Sequence, residues 1–109
     1  MKLEPINESY SRPVCSTEHD LALAAKLADA SHGDVVALFD LGVAYSTGSS
    51  GVECDLVEAH KWFNLAAARG HEEAACCRAD ISDEMSAREI AEAQRRARRW
   101  LAEEQSRAA

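Results

Sequence analysis

Apolar residues fall three and four positions apart over most of this chain, with polar residues between them. That period predicts helices, and no stretch alternates at the period of two that a strand needs. A first helix is expected from a Ser16 or Thr17 cap to about His32, turning Leu21, Ala24, Ala25 and Ala28 inward. Gly33 breaks it, and Asp34 is placed to cap a second helix over about Val35 to Ser46. The segment Thr47 to Gly51 holds two glycines that end this helix, and Val52 follows as a single apolar anchor for the loop. Asp55 and Glu58 predict a capping box for a third helix running to about Arg69, with Leu56, Ala59, Phe63 and Ala66 inward beside Trp62. Gly70 stops it. A fourth helix, about Glu72 to Asp83, has few large apolar residues. Ser86-Ala87-Arg88-Glu89 predicts a capping box for a fifth, which reaches about Glu104 with Ile90, Ala93, Ala97, Trp100 and Leu101 as its stripe. Residues 1–15 contain Pro5 and Pro13 without periodicity and predict a flexible tail, leaving 16–105 as one helical domain.

The pattern repeats. Gly33-Asp34-x-x-Ala37 aligns with Gly70-His71-x-x-Ala74, and Ala59-x-x-Trp62-Phe63 aligns with Ala97-x-x-Trp100-Leu101, at offsets that suit paired-helix repeats. The middle of the chain reads Ala37-x-Phe39-x-Leu41-Gly42-x-x-Tyr45-x-x-Gly48. It continues through Gly51-Val52, Asp55, Ala59, Trp62-Phe63 and Ala66-Ala67 to Gly70. Small residues there leave room for aromatic ones, and Gly42 predicts a close approach of two helices. This run resembles the Sel1-like repeat, a relative of the tetratricopeptide repeat, with one extra residue between Gly48 and Gly51. The resemblance covers about residues 22–102. It implies an all-α fold, a short right-handed α-solenoid of about five helices. One well-kept repeat would be flanked by a degenerate repeat and a capping repeat. It also implies a protein-binding module without catalysis.

Charge sharpens that expectation. The chain of 109 residues carries a net charge of −7, unevenly spread. Residues 1–85 hold 15 acidic and 6 basic side chains, whereas 86–109 hold 4 acidic and 6 basic. The acidic body argues against general binding to nucleic-acid phosphates. No apolar run approaches the roughly 20 residues of a membrane span, and Met1 to Ser16 lacks the apolar core of a secretory leader. A cytoplasmic protein with reduced thiols is the expectation.

Candidate chemistry is sparse. Cys15, Cys54, Cys76 and Cys77 show neither a C-x-x-C pair nor metal-finger spacing. His60, His71, Cys76 and Cys77 would make a poor zinc set, because His71 and Cys76 do not share a helix face. A nucleophilic cysteine needs an electropositive setting, and Glu72, Glu73 and Asp80 surround Cys76 and Cys77 in sequence. No enzyme activity, cofactor or metal is therefore expected. Arg95, Arg96, Arg98 and Arg99 form a basic group, for which i, i+4 pairs link Glu92 with Arg96, Arg88 with Glu92, and Arg99 with Glu103.

In a tetratricopeptide-like pair the first helix faces the concave side. With Ala37, Leu41 and Tyr45 taken as packing, Val36, Phe39, Asp40 and Val43 should line that side. The repeat offset carries the face on to Glu73, Cys76, Cys77 and Asp80. An apolar strip flanked by carboxylates suits an apolar peptide with basic residues. The function expected is a small adaptor that binds a protein or peptide there. The alternative is a regulator that contacts nucleic acid through its Arg95–Arg99 helix.

Overall fold

A computed structural model describes residues 21–49 and 51–108, which form five helices and no strand. Residues 21–31 are helical and are called α1; they are followed by α2 (Val35–Thr47), α3 (Leu56–Ala68), α4 (Glu72–Ser82) and α5 (Ala87–Ala108). The expected Ser16 or Thr17 cap and the tail over 1–15 lie outside the described residues. The helix ends otherwise follow the sequence to within a residue, except that α5 runs four residues beyond Glu104.

Local chemistry sets these ends. Asp34 caps α2 by accepting from the Val36 and Ala37 amides at 2.9 and 3.3 Å. At the other end Gly48 takes φ 74°, a left-handed angle that costs an L side chain about 1–2 kcal/mol. There it donates its N–H to the Ala44 carbonyl at 2.8 Å. The Asp55 amide donates to the Tyr45 carbonyl at 2.8 Å, folding the loop back so that α3 returns along α2. Ser86 and Glu89 complete a reciprocal capping box, with Ser86 N–H donating to Glu89 at 2.8 Å and Glu89 N–H to Ser86 Oγ at 3.1 Å.

The Asp55 box is only half made. Asp55 caps the Val57 and Glu58 amides, but the Glu58 carboxylate turns away to Lys61 and Arg96. A charged partner offers Glu58 more than its own Asp55 amide, which Tyr45 already satisfies.

The central element is α3, which packs on α2, α4 and α5, while α2 and α4 touch only lightly and α5 leans on α3 rather than on α4. Its Phe63 is buried among Leu38 and Leu41 of α2, and its Trp62 meets Trp100 of α5 edge-on at 4.9 Å. Gly42 is what allows α2 to lie so close. A Cβ built on it would fall 2.5 Å from the Phe63 ring. Leu56, at the first turn of α3, is only half-buried rather than core.

Two expected faces are corrected. In α1 the inward residues are Leu23, Leu27 and Ala30, while Leu21 is 68% exposed and Ala24, Ala25 and Ala28 are exposed with it. Leu23, Leu27 and Ala30 together carry nine side-chain carbons against seven for Leu21, Ala24, Ala25 and Ala28, and each carbon buried stabilises, so their stripe takes the core. In α5 Leu101 turns outward, leaving Ile90, Ala93, Ala97 and Trp100 as the inward stripe. The far end of α5 is tied down differently, by Glu104 accepting from Arg69 at 2.7 Å.

Candidate functional site

With α3 enclosed by its neighbours, the chain presents two contrasting surfaces, one formed by α2 and α4 and one along α5. Val36 stands at the start of α2 with 62% of its surface exposed. Asp40, one turn on, is half-exposed and sits 3.9 Å from Lys26 of α1. Glu73, Cys76 and Asp80 of α4 are exposed, and Cys77 is half-buried. Val43 is half-buried and packs on the core.

Phe39 is also largely used within the fold. Its ring lies 5.7 Å from Phe63 and stacks on the His71 imidazole at 4.4 Å with 14° between planes. The same His71 caps α4, its Nδ1 accepting from the Ala74 amide at 3.0 Å. One stack thus sets the distance between the start of α4 and the middle of α2.

The Cys77 thiol is not poised for attack. Burial pushes the Cys77 thiol up, and Glu73, Asp80 and Cys76 push it further, the reverse of what nucleophilic activation needs. Cys54 in the loop lies 3.5 Å from the Ser46 carbonyl. Among the described residues no group of three or more histidines, cysteines or carboxylates is arranged to hold a metal ion. No helix among them is long and apolar enough to cross a membrane.

On α5 the arginines divide into two kinds. Glu92 takes Arg95 through both Nε (3.0 Å) and Nη2 (2.7 Å) and also takes Arg96 at 2.8 Å. These hydrogen bonds hold the Glu92 carboxyl at about 2. Arg96 reaches across to Glu58, which holds Lys61 at 3.2 Å as well. The expected Arg88–Glu92 and Arg99–Glu103 pairs do not form; Arg95, on the next turn, takes the place of Arg88. Arg98 and Arg99 make no ion pair among the described residues.

Sequence reasoning missed two participants, Lys61 and Trp100. Lys61 Nζ lies 4.0 Å from the centre of the Trp62 ring and 5.7 Å from that of Trp100. The i, i+3 spacing from Glu58 was a visible signal for Lys61. Its approach to α5 was not, because 39 positions separate it from Trp100.

His60, weighed in sequence as a poor metal ligand, is only 3% exposed, and its Nδ1 has no hydrogen-bond partner among the described residues. Burial, followed by the charge of Arg78 on α4, lowers its pKa and keeps the ring neutral. Arg78 itself donates to Asn64 at 2.7 Å, linking α4 to α3 beside that ring. Compared with protein-family models, curated proteins and solved structures, the chain finds no match in any of the three.

Proposed function

We propose that this chain is a protein-interaction module of the Sel1-like repeat kind, a short α-solenoid that takes up a basic, partly apolar peptide on the face of α2 and α4. One observation carries the reading. Val36, a large apolar residue, stays 62% exposed on a face whose other exposed side chains include the carboxylates of Glu73 and Asp80. An exposed apolar group on a predominantly acidic face is the composition of a peptide-binding surface, with area from the first and selectivity from the second.

The packing supports the repeat reading. Gly42, Ala59, Trp62, Phe63 and Ala66 are buried, each in the role its repeat position implies. Capture from native extract, with a Val36→Arg variant in parallel, tests the function. Val36 is exposed enough for the variant to fold, unlike the half-buried Val43. The reading expects a discrete polypeptide with a basic binding segment, retained by the wild type and lost by Val36→Arg. If every captured polypeptide is retained equally by both, the α2–α4 face is not the binding surface.

A further inference from the structure

We propose that the cleft between α3 and α5 is a second binding site, independent of the α2–α4 face, for a short acidic peptide segment. The cleft encloses about 350 Å³ and is lined by Lys61 of α3 with Arg95, Arg96, Arg99 and Trp100 of α5. Glu92 and Glu103 border it too, so its charge must be counted rather than assumed.

The ion pairs show the count to be short of anions. Lys61, Arg95 and Arg96 share only two carboxylates, those of Glu58 and Glu92. Arg99, on the same wall, has no ion pair among the described residues. Glu103 offsets Arg99 in the count, which leaves four cations against three carboxylates, one cation in excess. This stands against a chain whose net charge is −7. A carboxylate arriving between Arg95 and Arg99 supplies the missing anion.

The cations are also held in place beforehand. Lys61 is 13% exposed and fixed between Glu58 and the indole of Trp62, and Arg96 is clamped by two carboxylates. Side chains already fixed lose little entropy when a ligand binds. The half-buried Trp100 ring gives an apolar or aromatic side chain of the ligand a wall beside the guanidinium groups.

An acidic peptide fits better than a nucleic acid. A phosphate backbone needs a basic track along several charges, whereas these cations converge on one cleft that Glu92 and Glu103 border, on an otherwise acidic body. The site therefore selects a compact ligand with carboxylates beside an apolar group.

Fluorescence anisotropy with a labelled, glutamate-rich peptide carrying one phenylalanine tests this in the full chain. Saturable binding is expected, weakened about tenfold or more by Arg99→Glu, the loss of a charge-assisted contact. Both Arg99 and Arg88 are exposed on α5, so Arg88→Glu makes the same charge change outside the cleft and should shift affinity far less. Absence of saturation overturns the proposal, as does equal weakening by the two variants, which would indicate a diffuse field. Stronger competition by a single-stranded oligonucleotide than by unlabelled peptide overturns it in favour of nucleic acid. Val36→Arg should leave this binding intact, which separates the site from the α2–α4 face.

Discussion

Replacing Gly42 by alanine tests the packing on which both surfaces depend. In an isolated helix the change stabilises by about 1 kcal/mol, because glycine has more conformational freedom to lose. Here the added carbon would fall 2.5 Å from both Cδ1 and Cε1 of Phe63 and 3.0 Å from its Cγ. Ordinary carbon contacts lie at about 3.5–4.0 Å, so ring and helix must part by about 1 Å. The ring has little room to move, being 1% exposed and bounded by Phe39. Overpacking a core costs about 1–3 kcal/mol, and a rigid ring places this case in the upper half. Set against the propensity gain, the net loss is about 1–2 kcal/mol, or roughly 5–15 °C in melting temperature for a domain of this size. Thermal and urea unfolding followed by circular dichroism measure it. The decisive comparison repeats Gly42→Ala in a Phe63→Leu background, where the flat ring is gone and the substitution should become neutral or stabilising. If Gly42→Ala raises the melting temperature of the wild type, or has the same effect in both backgrounds, close approach at Gly42 is not what holds α2 on α3.

Two further outcomes follow from the same core. His60 is buried neutral with a lowered pKa, so below its unfolded value of about 6.5 the unfolded chain takes up a proton that the folded chain refuses. Stability should therefore fall as pH drops from 7 towards 5, by at most about 1.4 kcal/mol per pH unit from this group. The fall should flatten in His60→Gln, measured by urea unfolding at each pH. Deleting residues 86–109 strips Trp100 and Ala97 from the core and uncovers Trp62, so the truncated chain should lose its cooperative melt and expose apolar surface to a fluorescent dye. A sharp melt near that of the parent would show that α5 is dispensable.

What the sequence revealed and what it hid divide along the range of the interactions. Asp34, Gly48, Gly70 and the Ser86–Glu89 box act within three or four residues, so their roles can be read from order alone. Glu58 could not be read that way. Its local option, the Asp55 amide, lost to Arg96, a competitor 38 positions away that only the packing of α5 on α3 brings near. Residues of α1 posed another problem. Leu21, Ala24, Ala25 and Ala28 fit a helical period, but so do Leu23, Leu27 and Ala30, and periodicity treats alanine and leucine alike. Weighting each stripe by the side-chain carbons it can bury selects the second, the one that packs on the core. Spacing assigns Phe39 to the concave face, but the ring is used largely within the fold, against Phe63 and His71, and the stack on His71 depends on the α3–α4 turn and leaves no local trace.

The central place of α3 also decides which experiments can separate the two proposed sites. One face of this helix gives Phe63 to α2, another gives Trp62 to α5, and beside these Asn64 accepts from Arg78 of α4. A substitution in α3 therefore disturbs both surfaces at once and cannot assign a function to either. Val36 and Arg99 avoid this because both are exposed and lie on different helices, α2 and α5. Their charges differ in kind as well. Val36 lies in an acidic setting where added positive charge should repel a basic ligand, whereas Arg99 belongs to a cation-rich cleft where reversal should repel an acidic one. If the chain joins a basic partner to an acidic one, each variant should lose one ligand and keep the other. Loss of both ligands in either variant would show instead that the two surfaces are energetically one site, coupled through α3.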